Sequence, residues 1–93
     1  MLTEERSLGK VFRILLPIAK EWKNIGTILN ISNSTLDKIS ADEGARGVHD
    51  CLRAMLAKWL KQVDPAPTWA ELVDAVEPFN EGVATSIRLE CAD

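Results

Sequence analysis

The 93-residue chain predicts an all-α domain of six short helices. Apolar residues recur at helical spacing along nearly the whole sequence, and no stretch alternates as a half-buried strand does. Ala, Leu, Glu and Lys, all good helix formers, are abundant. Short punctuations such as "NIS", "SADEGARG" and "DPAP" separate the periodic segments and supply caps and breakers.

The first apolar face is Val11, Phe12, Leu15 and Leu16. Pro17 either kinks that helix or opens the next, and the sequence leaves both open. Trp22, Ile25, Gly26 and Leu29 follow at i, i+3, i+4 and i+7. That helix stops at Asn30, which tolerates the left-handed conformation needed just past a helix end. Ser32 or Ser34 caps a short third helix with Leu36 and Ile39 inward. "SADEGARG" reads as a loop.

The fourth helix is predicted from about residue 46 to residue 63. Its inward arc is Val48, Leu52, Met55, Leu56, Trp59 and Val63, and its outward arc is Arg46, Asp50, Arg53 and Lys61. "DPAP" ends it. Thr68 and Glu71 have capping-box spacing at the start of a fifth helix. That helix sets Trp69, Leu72, Val73 and Val76 on one face, and Glu71, Asp74 and Glu77 on the other. Pro78 breaks it, and Asn80 caps a sixth helix carrying Val83, Ala84 and Ile87, with Leu89 a further candidate. Trp22, Ile25, Leu29, Leu36, Ile39, Leu52, Leu56, Trp59, Trp69, Leu72, Val76 and Ile87 form the expected core. Trp59 sits mid-arc and acts as a strut, and Trp69 fixes the entry of the fifth helix.

Composition narrows the function. The apolar fraction is 46% and the charged fraction 27%, so a folded single domain is expected over 1–93, with its core at about 8–89. Cys51 and Cys91 make no disulfide or zinc spacing and fit a reducing, cytoplasmic setting. "MLTEERSLGK" lacks the pattern of a signal peptide, and "ILLPIA" is too short to span a bilayer, so no membrane insertion is expected. Net charge is −3, which disfavours a dedicated nucleic-acid binder. Residues 1–63 carry +3 and residues 64–93 carry −6. Such a gradient lets one domain present two surfaces of opposite sign.

No catalytic or metal-binding residue emerges, and no cofactor is expected. The single histidine, His49, stands two residues from Cys51, and such neighbours point to different sides of a helix. No Gly-rich phosphate loop, HExxH or GxSxG is present. The carboxylates of the fifth helix read as a solvated face. An alternative reading takes residues 24–39, "NIGTILNISNSTLDKI", as a helix-turn-helix. Its second helix would present Asn33, Ser34, Asp37 and Lys38, and one lysine offset by one aspartate suits a phosphate backbone poorly.

The order of these segments resembles a death domain of the death-fold superfamily, from about Leu8 to Leu89. "EWKNIGTILNIS" is similar to the family's second-helix region, with Trp22 opening a helix and Gly26 at its middle. "STLDKI" resembles the third-helix signature, and "CLRAMLAKWL" the fourth helix, with Trp59 and Leu60. "TWAELVDAV" and "NEGVATSIR" resemble the fifth and sixth. Asn30 stands where the family often has glycine, and Pro17 interrupts a first-helix region that is often continuous. No RxDL-type motif points to the death-effector class, and the caspase-recruitment class lacks the match at Trp22 and Trp59.

The resemblance implies a six-helix antiparallel bundle with Greek-key topology. It also implies non-catalytic binding to other death-fold domains, self or adaptor or receptor, in apoptotic or innate-immune signalling. Joined to the charge gradient, it suggests a basic patch of Lys20, Lys23, Arg53 and Lys61 facing an acidic patch of Glu71, Asp74, Glu77 and Glu81 on another copy or partner.

Overall fold

Helix α4 (Val48–Leu60) is the hub of the bundle. Against it pack α1 (Glu4–Leu15), α2 (Trp22–Ile28), α3 (Asn33–Glu43) and two 3-10 segments, Leu16–Glu21 and Gly44–Arg46. Helix α5 (Trp69–Val76) packs mainly on α6 (Glu81–Cys91) and also meets α2, while α6 leans on α1. The computed structural model describes residues 4–62 and 67–91, and no strand occurs among them.

The two open readings of Pro17 converge. Helix α1 ends at Leu15, and Pro17 lies in the first turn of the 3-10 segment, where its missing N–H costs no bond. Ile18 then leaves helical geometry at φ −119° and ψ 29°, so the chain bends there. The bend buries Ile18 and Ala19.

Helix α2 ends as the sequence predicts. Asn30 adopts φ 68°. Its N–H donates to the Thr27 carbonyl at 3.1 Å, and the Ile31 N–H donates to the Gly26 carbonyl at 3.0 Å. This paired arrangement satisfies two carbonyls that a helix end would otherwise leave open. Ile31 is buried just beyond it. Of the two candidate caps for α3, Ser32 serves: its Oγ accepts from the Thr35 N–H at 3.3 Å.

The "SADEGARG" loop is shorter than expected. Helix α3 continues through Glu43, because Ser40–Glu43 contains no residue that breaks a helix. The reversal falls instead on Gly47, at φ 114°, a conformation open to glycine and strained for other residues.

Helix α4 therefore begins at Val48 rather than near 46. Its buried side holds Cys51, Leu52, Met55, Leu56, Trp59 and Leu60, a broad arc because neighbours flank it on several sides. Val48, expected inward, is 44% exposed. It lies on the buried side of the helix but at its first residue, where the neighbours no longer cover it. Val63, and Asp64 to Ala66 of "DPAP", lie outside the described residues.

The cap of α5 is half of the predicted box. Thr68 Oγ1 accepts from the Glu71 N–H at 3.2 Å, but the Glu71 carboxylate turns away from the cap. Asn80 Oδ1 accepts from the Val83 N–H at 3.1 Å and opens α6. Val83, Ala84 and Ile87 are buried, whereas Leu89 is 69% exposed. Leu89 stands two residues from Ile87, which on a helix places it on the opposite side.

One continuous core joins these elements. Trp22, Ile25, Leu29, Leu36, Ile39, Leu52, Leu56, Trp59, Leu72, Val76 and Ile87 are buried in it, and Trp69 is half-buried against its edge. Gly26 makes the closest approach: a Cβ there would lie 2.7 Å from Leu36 Cδ2 and 3.1 Å from Met55 Cγ. The missing side chain lets α2 settle on α3 and α4.

Candidate interaction surfaces

Reactive side chains are not gathered. His49 is exposed, while Cys51 is buried on the other side of α4. Burial pushes the Cys51 thiol up from its ordinary pKa, and the carboxylates of Glu43 and Asp50 add to the shift. A thiol so raised is a poor nucleophile. Among the described residues no group of His, Cys, Asp and Glu could hold a metal ion. No helix among them is long and apolar enough to cross a membrane.

Charged groups lie on the outside, and their partnerships divide them. Lys20, on the first 3-10 segment, and Arg53, on α4, are exposed and make no ion pair among the described residues. The Arg53 guanidinium stands over the Phe12 ring of α1, 6.0 Å from its centroid, and covers its half-buried face. Lys23, on α2, is engaged: its Nζ is 3.1 Å from Asp37 Oδ1, which ties α2 to α3 across the Asn30 turn. Lys61 is exposed just past the end of α4. The first 3-10 segment and α2 both rest on α4, so these four cations belong to connected elements.

The four acidic residues fall into two kinds. Asp74 and Glu81 are exposed and make no ion pair among the described residues. Glu81 lies in the first turn of α6, where the helix dipole favours a negative charge. Glu77 pairs with Arg88, joining the end of α5 to α6. Glu71 is half-buried, and its Oε1 accepts from Trp59 Nε1–H at 3.2 Å. Glu71 thus serves the interior as much as the surface.

Two further lysines belong with the basic residues. Lys38 on α3 and Lys58 on α4 line one groove with Thr35, Ile39, Ala54 and two carboxylates, Asp42 and Glu43. Neither lysine makes an ion pair among the described residues. Lys58 lies between Arg53 and Lys61 in sequence, so its exposure on α4 was open to inference. The meeting of Lys38 with Lys58 depends on how α3 packs on α4, which periodicity does not specify.

The helix–turn–helix shape over residues 24–39 does form, with Asn33, Ser34, Asp37 and Lys38 exposed. That face still carries one lysine against one aspartate, and the aspartate is paired with Lys23. Such a face offers little to a phosphate backbone.

The described residues form an all-α bundle whose exposed surface carries most of its charge. The chain belongs to the death-domain family, whose family model matches residues 5–88. It is accordingly a protein-interaction module of death-fold signalling with the all-α death fold. No curated protein and no solved structure matches the chain significantly.

Proposed function

We propose that this domain assembles with other death domains, its own copies included, as a cytoplasmic adaptor module in apoptotic or innate-immune signalling. The basic surface of Lys20, Lys23, Arg53 and Lys61 meets the acidic surface of Asp74, Glu77 and Glu81 on the next molecule. Lys38 and Lys58 extend the basic side. The observation that supports this reading is the division of exposed charge that makes no ion pair among the described residues: Lys20 and Arg53 belong to the first 3-10 segment and α4, Asp74 and Glu81 to α5 and α6. Two different patches that fit one another join head to tail and propagate into open assemblies. Contacts of this kind set specificity and on-rate, and they weaken as salt rises.

The double variant Asp74→Lys/Glu81→Lys tests it. Sedimentation across a concentration series, at low and high salt, should show salt-sensitive self-association in the wild type and its loss in the variant. Circular dichroism should show equal helicity. Undiminished association of the variant would remove these residues from the interface, and a shift of random DNA by the wild type would favour the helix-turn-helix reading.

A further inference from the structure

Glu71 has two roles on sequence grounds, as the second half of a capping box and as part of the acidic patch. The structure gives its carboxylate a third. Oε1 accepts from the indole Nε1–H of Trp59, twelve residues earlier on α4, at 3.2 Å. Trp59 is 0% exposed, and Nε1–H is the one polar group of its side chain. Buried donors must be partnered, and no buried side-chain N or O among the described residues lacks a partner. Glu71 is what satisfies this one.

The position of that bond gives it consequence. Helix α5 packs on α6 and α2, not extensively on α4. The Trp59–Glu71 bond is a direct polar tie from α4 to the first turn of α5. Glu71 is also held by its backbone, whose N–H donates to Thr68 Oγ1. Asp74 is three residues on, one turn along the same side of α5. Fixing the rotation of α5 at Glu71 therefore fixes the direction in which Asp74 projects.

We propose that Glu71 is a positioning residue for the interaction surface: its carboxylate seats α5 on α4 through Trp59 and so aims Asp74 at the partner. Its charge is not itself a partner contact. This inference rests on the reading of Asp74 as an interface residue. Glutamine separates the two roles, because its amide oxygen still accepts from the indole while the charge is gone.

Three variants, Glu71→Gln, Glu71→Ala and Asp74→Asn, are compared with the wild type. Self-association is measured on an immobilised second copy of the chain, at a temperature where circular dichroism shows every variant folded. In parallel, proton NMR follows hydrogen exchange of the Trp59 indole N–H, assigned with Trp59→Phe. Glu71→Gln should keep association within about threefold of wild type and preserve the protected indole proton, whereas Glu71→Ala should weaken association about tenfold or more and speed exchange. Asp74→Asn should weaken association with the indole still protected.

Glu71→Gln binding as poorly as Glu71→Ala would make the charge the contact and overturn the proposal. So would Glu71→Ala binding like wild type. An indole exchange rate indifferent to Glu71→Ala would overturn the bond itself, whatever the binding result. If the wild-type chain binds no copy of itself and no death domain, the surface reading fails, and with it the aiming of Asp74. The exchange measurement tells these two failures apart.

Discussion

The α1–α4 part of the bundle and the α5–α6 hairpin share one apolar core but differ in the polar contacts added to it. In the first, α4 is surrounded by α1, α2, α3 and both 3-10 segments, and its buried side is apolar. Its turns are closed by backbone geometry, at Asn30 with φ 68° and at Gly47 with φ 114°. In the second, Leu72, Val76, Ala84 and Ile87 are buried in the same core, α5 leans chiefly on α6, and specific polar contacts are added: Thr68 and Asn80 at the caps, Glu77 with Arg88, and Glu71 with Trp59. The charge divides along the same line, +3 over residues 1–63 and −6 over residues 64–93. Apolar packing tolerates no voids but does not care about direction. Polar ties are directional and individually weaker, so they refine the orientation of a hairpin that the shared core already holds.

Trp59 is fully buried and is one of the places where the two parts meet, so its removal should have the largest effect. Trp59→Ala empties the centre of the α4 arc and strips Glu71 of its partner. A loss of about 3–5 kcal/mol is expected in chemical denaturation, a large share of the about 5–15 kcal/mol that holds a domain folded. A variant that stayed well folded and merely lost binding would show that the indole belongs to the surface and that the two parts are not joined there.

Gly26 probes the α1–α4 part alone. Valine there places atoms against Leu36 and Met55, both buried, with Leu36 Cδ2 already 2.7 Å from a bare Cβ. Overpacking should cost about 2 kcal/mol, after a small gain from replacing glycine in a helix. Gly9, in α1, is the contrast, because nothing lies within 4 Å of a Cβ there. Gly9→Ala should stabilise the protein by about 0.5–1 kcal/mol. Equal effects at the two sites in thermal unfolding would mean that close approach is not why glycine occupies position 26.

The α1–α4 part was more legible in the sequence than the hairpin's attachments, and the forces explain why. The i, i+3, i+4, i+7 run of Trp22, Ile25, Gly26 and Leu29 reports burial directly, Asn30 announces its role by residue type and place, and the cap of α3 narrows to Ser32 or Ser34. The "SADEGARG" segment misled because loop-like composition is compatible with a helix until Gly47 forces the reversal. Val48 and Leu89 misled because periodicity gives the side of a helix and not whether a neighbour extends far enough to cover it. The partnerships of Glu71, Glu77 and Lys23 were not legible, since each joins residues that only packing brings together. Burial of Trp59 did demand an acceptor for its N–H, yet nothing in the sequence named Glu71.

Two of the helix caps, Ser32 and Thr68, give a small stability change and the finest distinction between the two parts. Ser32 and Thr68 each accept one first-turn N–H, from Thr35 at 3.3 Å and from Glu71 at 3.2 Å. Alanine at either should cost about 1 kcal/mol, read in denaturant unfolding. Their effects on self-association should differ. Helix α3 is also held by the Lys23–Asp37 pair and by Leu36 and Ile39 in the core, so Ser32→Ala lowers stability without redirecting a charge. Thr68 holds the backbone of Glu71 itself, and releasing it loosens the residue that fixes α5 on Trp59. Thr68→Ala should therefore weaken association at temperatures where the domain remains folded, while Ser32→Ala, matched to it in stability, should not. If the two variants bind alike, α5 is placed by its apolar face alone and the polar ties of the hairpin are incidental to what it presents.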